Sequence, residues 1–177
     1  MGPINQQGTG GSDGPEALER IWTPHRMAYI RSSIAGDGCP FCIIPGLPDA
    51  DSLVVARGEH TYVVLNLHPY NPGHLMVLPY RHVAGLEELT AEESSELMAL
   101  TQRAITVIRS ISTPHAFNVG LNLGGAAGGS LADHLHQHVV PRWSGDANFI
   151  TIVGGTKVLP QLLQDTRDLL AEAWARA

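Results

Sequence analysis

The chain has 177 residues, 44% of them apolar and 16% charged, with a formal charge of -6 and two cysteines. That is enough for one domain with a substantial core, and two cysteines exclude a disulfide-stapled scaffold. No apolar run approaches the roughly 18 residues of a membrane span, and the acidic balance excludes a nucleic-acid surface, which needs clustered Lys and Arg against phosphates. A small phosphorylated ligand stays open, because local donors bind one without a basic overall charge. An N-terminus with no charged region leading into an apolar stretch predicts a cytoplasmic protein.

Residues 1–15 are rich in Gly, Gln, Ser and Pro and cannot offset the entropy of ordering, so they are expected to be a flexible leader. A single domain is expected over 16–177. Leu18, Ile21 and Trp22 predict a short amphipathic helix that ends before Pro24. Residues 52–57, 61–67, 74–79 and 116–123 are short runs rich in Val, Leu, Ile and Tyr, bounded by Gly, Pro, Asn or Asp, as strands are. Between the last two, Thr90-Ala-Glu-Glu93 has the form of a capping box. Leu97, Leu100, Ala104, Ile105 and Ile108 follow it at helical spacing. Pro160 in a first turn, then Leu162, Leu163, Leu169, Leu170, Ala173 and Trp174, predict a second long helix.

The densest chemistry lies in His134-Leu-His-Gln-His138, followed by Val139-Val-Pro141. In an extended strand His134, His136 and His138 project to one face and Leu135, Gln137 and Val139 to the other. Three imidazoles there offer nucleophile, proton donor or metal ligand near neutral pH. With this strand the sheet has about five strands. Short connections and only two main helices favour an antiparallel α+β fold over a doubly wound one, whose G-x-G-x-x-G fingerprint is also missing. Just upstream, 122–130 reads Asn-Leu-Gly-Gly-Ala-Ala-Gly-Gly-Ser, glycines that let backbone amides approach phosphate oxygens closely. Alone such a run is more often a plain connection.

Cys39-Pro-Phe-Cys42 admits three readings. A redox motif needs its first thiolate at a helix N-terminus, and Pro45 would break that helix. A closed zinc site needs two more N or S ligands. Two unliganded thiols are the plain alternative.

The alternating histidines and the two apolar residues after them resemble the signature of the histidine triad family of nucleotide hydrolases and transferases. The likeness covers about 39–143 and includes Val63-Val-Leu-Asn66, Asn71-Pro-Gly-His74 and Pro79-Tyr-Arg-His82. Residues 22–30, 124–130, 142–149 and 157–160 are most similar to actinobacterial diadenosine tetraphosphate phosphorylases. The resemblance implies that His136 attacks the α-phosphorus and carries a covalent nucleotide. It implies that His138 contacts the phosphate, completed by Asn122 and the amides of Gly129 and Ser130, and that Asn66 holds the ribose. Without that context Asn66 is a strand-end turn former. Cysteine-bearing relatives imply a structural zinc on Cys39, Cys42, His82 and His134, with no organic cofactor and with magnesium arriving on the nucleotide. His74 is read as supporting or structural, and His25, His60, His68 and His115 as surface or packing residues.

Many dinucleotide hydrolases of the family have Gln where this chain has Ser130. The shorter side chain leaves room for phosphate as second nucleophile, which implies phosphorolysis of diadenosine tetraphosphate to ATP and ADP. Alternatives are a family hydrolase acting on dinucleoside polyphosphates or nucleotide phosphoramidates, a metalloenzyme using the three histidines, and a non-catalytic nucleotide-binding regulator. The expected partners are a purine nucleotide or dinucleoside polyphosphate and phosphate, in a homodimer with joined sheets. Residues 149–157 are the candidates to reach the partner's site.

Overall fold

The computed structural model describes residues 19–21, 38–127, 131–154 and 156–177. The expected leader at 1–15 lies outside them, as do His25 and residues 128–130 with the candidates Gly129 and Ser130. Of the helix expected on Leu18, Ile21 and Trp22, only Ile21 lies within the described residues, and it is not helical there. Glu19–Ile21 is instead strand β1, paired in parallel with β7 (Thr156–Val158). Three apolar positions do not define a helical period, and a partner strand from the other end of the chain supplies the backbone bonds that decide the conformation.

The main sheet has five strands, all antiparallel to their neighbours, in the order β2 (Val54–Arg57), β3 (Thr61–Leu65), β4 (Leu75–Pro79), β6 (Gln137–Arg142), β5 (Ala116–Leu121). With the β1–β7 pair this makes seven strands among the described residues, two more than expected. Several bounds shift by one to three residues. Ser52 belongs to a helical turn, α2 (Asp49–Ser52), where its hydroxyl donates to the Pro48 carbonyl at 2.9 Å. Leu53 then takes a left-handed φ of 62° to swing the chain into β2. The ladder of β6 begins only at Gln137, so His134, Leu135 and His136 form the approach to the strand, where the Leu135 N–H donates to the Val83 carbonyl.

Every side chain of β3 and β4 is buried, because both faces of the central sheet are covered. One face meets helix α3 (Ala91–Ile111), whose Leu97, Ala104, Val107 and Ile108 enter the core, and α5 (Leu163–Arg176), which adds Leu163, Leu170, Ala173 and Trp174. Gln137 faces this side and donates to Thr101 Oγ1 of α3 at 2.6 Å. The opposite face is covered beside β3 by α1 (Pro40–Ile43), locked down by Tyr62 OH donating to the Phe41 carbonyl at 2.7 Å. α5 starts at Leu163 rather than at Pro160, and Leu162 and Leu169 are exposed. Its apolar stripe is therefore narrower than six residues predict.

The capping box is formed as expected. Thr90 Oγ1 accepts the Glu93 N–H at 3.2 Å, and Glu93 accepts the Thr90 N–H at 2.8 Å, worth about 1 kcal/mol to the helix start. Glu93 is buried and also takes two hydrogen bonds from Arg81, at 2.9 and 2.7 Å, which hold its carboxyl at about 2, below the ordinary 4.5. A depressed carboxyl stabilises the fold fully above pH 4.5 and loses that contribution as pH falls through about 2. Glu93→Gln is therefore expected to lower Tm by several degrees at pH 7, with the difference shrinking toward zero as pH is lowered to about 2. Thermal melts across that range check this; a gap independent of pH contradicts it.

Candidate active site and metal centre

The C-x-x-C turn sets the first half of a compact cluster. Pro40 at the first helical position fixes φ for a turn that Cys39 opens, and the Cys42 N–H bonds the Cys39 carbonyl at 3.0 Å. Both sulfurs then face His134. Cys39 Sγ and Cys42 Sγ lie 3.4 and 3.5 Å from His134 Nδ1, His82 Nδ1 lies 3.3 Å from Cys42 Sγ and 3.3 Å from His134 Nδ1. All four ligand atoms fall within 4.8 Å of one another. Tetrahedral bonds of zinc length place two nitrogens about 3.3 Å apart and a nitrogen about 3.6 Å from a sulfur, so the spacing fits an ion of that size. The four residues that sequence brought forward as a ligand set are thus assembled, and they could hold a metal ion.

The His134 ring is prepared for that role. Its Nε2–H donates to the Pro79 carbonyl at 3.0 Å, which leaves Nδ1 as the lone-pair nitrogen turned toward the sulfurs. Burial holds its pKa below the ordinary value, so the ring stays neutral. Burial and the neighbouring Cys39 push the Cys42 thiol up, so metal binding at this pair would release protons.

His136 and His138 occupy the same face as His134 but are set apart by their partners. His136 Nδ1–H donates to the His134 carbonyl at 2.8 Å, which places the lone pair on Nε2. Phe41 packs on both His134 and His136, with ring centroids 5.6 and 5.2 Å away. His138 is governed by His74, a residue that sequence reading assigned only a supporting part. The Tyr70 N–H donates to His74 Nδ1 at 3.1 Å, so His74 carries its proton on Nε2 and donates to His138 Nδ1 at 2.9 Å. His138 therefore presents Nε2–H, which is buried and has no partner among the described residues. Desolvation, and then the charge of a protonated His136, bring its pKa down to about 4. His60 and His115 also sit directly before strands, so position alone did not single out His74, and its fully buried position was not legible in the sequence.

Each of the three histidines has one ring nitrogen held by a different partner, and of the three only His134 joins the cysteine cluster. Asn66 Oδ1 accepts the His68 N–H at 2.8 Å, the turn-former geometry, and its Nδ2 approaches His74 Nδ1 at 3.3 Å. Asn122 is half-buried and lines a cavity that also touches His138. His115 Nδ1 accepts the Ser144 N–H at 2.9 Å, away from the histidine row. The 149–157 stretch contains α4 (Phe149–Val153), whose Phe149 and Val153 are 69% and 80% exposed.

The arrangement is that of a nucleotide-processing histidine triad protein, and residues 48–145 match the HIT domain. The chain belongs to the HIT family. It is 63% identical over 169 residues to the AP-4-A phosphorylase of Mycobacterium tuberculosis, an alignment spanning 91% of this chain and 87% of that protein. It is 33% identical over 95 residues to the Schizosaccharomyces pombe bis(5'-nucleosyl)-tetraphosphatase [asymmetrical], spanning 54% of this chain and 52% of that protein. In structure it resembles a Zn-bound histidine triad family protein from Mycobacterium smegmatis, with a TM-score of 0.63 and 28% identity, covering 78% of this chain and 94% of that one. Among the described residues, no helix is long and apolar enough to cross a membrane.

The tautomers are directly observable. Imidazole nitrogen resonances are expected to show His136 protonated at Nδ1 and His138 protonated at Nε2, with His138 neutral from pH 8 down to about pH 4. Titration of His138 near its ordinary 6.5 would contradict the buried, His74-bonded geometry.

Proposed function

We propose that this protein is a nucleotidyl transferase that cleaves diadenosine tetraphosphate with inorganic phosphate, giving ATP and ADP. The observation that carries this reading is the His136 ring, held by the His134 carbonyl through Nδ1 so that its lone pair lies on Nε2, in a chain so similar to an AP-4-A phosphorylase.

In this reading His136 Nε2 attacks the α-phosphorus of one adenosine. The bond from that phosphorus to the bridging oxygen breaks, and its electron pair leaves on the oxygen as ATP. The adenylyl group is then held on His136 Nε2. An oxygen of inorganic phosphate attacks the same phosphorus, the P–N bond breaks, its pair returns to His136, and ADP leaves. His138 donates Nε2–H to a phosphoryl oxygen as charge grows there, and its low pKa makes it a neutral donor throughout. Asn122 and the amides of Gly129 and Ser130 complete the phosphate cradle, and the small Ser130 leaves room for phosphate as acceptor. Asn66 binds the ribose through its amide, and the nucleotide arrives with magnesium.

Cys39, Cys42, His82 and His134 hold a structural zinc ion. With four protein ligands such an ion supplies a rigid cross-tie and no open position for substrate. The two other likenesses support neighbouring parts of this reading: a Zn-bound family member for the metal, and a tetraphosphatase for a hydrolase reading in which water replaces phosphate. β5 lies at the edge of the sheet, with most of its residues exposed, and suits pairing with a second copy into a homodimer. Residues 149–157 would then reach toward the partner's site.

Turnover of diadenosine tetraphosphate with and without phosphate, with products identified, tests the reaction. ATP and ADP formed only in the presence of phosphate are expected; AMP and ATP formed at an unchanged rate without it favour the hydrolase. His136→Ala is expected to cost at least about ten-thousand-fold in kcat while nucleotide binding persists. One zinc per chain is expected, lost together with several degrees of Tm in Cys42→Ser.

A further inference from the structure

Past His138, on the side away from His136, a cavity of about 450 Å³ lies between β5, the end of β6 and the start of α4. Apart from the bordering Asn122 and His138, the reaction assigned above uses none of its walls. Tyr70, Val140 and Ala147 give it an apolar lining, and Arg142 stands among them. Its volume is within the range of small-molecule sites. Alternation along β6 puts Arg142 on the same face as His138, four residues and about 13 Å beyond it.

Arg142 is held in one orientation. Its Nε and Nη2 donate to Asp146 at 2.6 and 3.0 Å, and its Nη1 donates to Asn118 Oδ1 at 2.8 Å. A guanidinium has five N–H groups, so one on each terminal nitrogen is left uncommitted among the described residues, two donors of the kind that phosphate oxygens accept. Asp146 is fixed in turn by Asn71 Nδ2 at 2.7 Å and by the Trp143 N–H at 3.2 Å. Asn71 is 2% exposed and its Nδ2 also donates to the Pro141 carbonyl at 2.9 Å, so the clamp is anchored in β6 itself. A surface ion pair needs no buried amide behind it. Asn71 Oδ1 is a buried acceptor with no partner among the described residues, the sort of unfilled valence that a bound water or ligand completes.

We infer that this cavity receives the departing half of the substrate, with Arg142 gripping its distal phosphates and the apolar wall taking its nucleoside. The inference rests on the proposed cleavage of a dinucleoside polyphosphate at His136. The distance along β6 places Arg142 beyond the scissile phosphate, so it reads the length of the departing group rather than the group transferred. Asp146 cancels the net charge and leaves a hold made of hydrogen-bond geometry. That suits a product that has to leave before phosphate can enter.

The test uses the full chain with Arg142→Gln, and with Ala147→Trp, which fills the cavity and keeps both Arg142 and Asp146 in the chain; melts establish that each is folded. Diadenosine tetraphosphate and adenosine 5'-phosphoramidate both deliver AMP to His136, but the second has a departing group without phosphates. Each variant is expected to lower the ratio of kcat/KM for the long substrate over the short one about tenfold. An unchanged ratio, or a raised KM for phosphate as the only effect, overturns the assignment. Equilibrium binding judges the cavity separately from the reaction. Arg142→Gln is expected to weaken ATP about tenfold more than AMP even if the wild type does not cleave diadenosine tetraphosphate, and equal weakening of both overturns the inference.

Discussion

The hydrogen bond from the His136 ring to the carbonyl of His134 decides which nitrogen of His136 can react. It spans two residues of the same chain segment and depends on that segment being immobile. His134 supplies the immobility: it is buried, its own ring is tied to the Pro79 carbonyl, and its second nitrogen joins Cys39, Cys42 and His82. The candidate metal cluster and the ring proposed as nucleophile are therefore only two residues apart in sequence. Loosening the cluster would free the His134 carbonyl and with it the tautomer of His136.

The sheet extends this control along β6. Gln137, pinned to Thr101 of α3, holds the strand from its far face, so the histidine face cannot roll. On the near face each polar side chain is set by a different partner: His134 by Pro79 and the cluster, His136 by the His134 carbonyl, His138 by His74, and Arg142 by Asp146. Backbone groups lie behind most of these partners. The Tyr70 N–H fixes His74, and the Pro141 carbonyl and Trp143 N–H fix Asn71 and Asp146. Such preorganisation suits the proposed chemistry at phosphorus, since donors already in place need not reorient as charge develops.

Much of this was legible in the sequence. The capping box at Thr90, the strand runs with their Gly and Pro boundaries, and the alternation at His134 are local patterns, and local patterns survive folding. The metal cluster was legible only because the family resemblance joined Cys39 and Cys42 to residues far along the chain. What sequence missed was set by distant partners. The β1–β7 pair joins two chain ends, and the tautomer of His138 depends on the burial of His74 against a Tyr70 N–H. Arg142 and Asp146 are charges four residues apart in what reads as a loop, and nothing local reveals the buried Asn71 behind them. Asn66 fits both of its readings, because its turn-forming bond leaves the amide nitrogen beside His74.

In the proposed reaction His136 attacks through Nε2 because its Nδ1 proton is held by the His134 carbonyl. Mixing the protein with substrate in the absence of phosphate, quenching under alkaline denaturing conditions and mapping the adenylylated peptide by mass spectrometry and phosphorus NMR tests it directly. The account predicts AMP on His136, bonded through Nε2. AMP on His134 or His138, or on His136 through Nδ1, would contradict it.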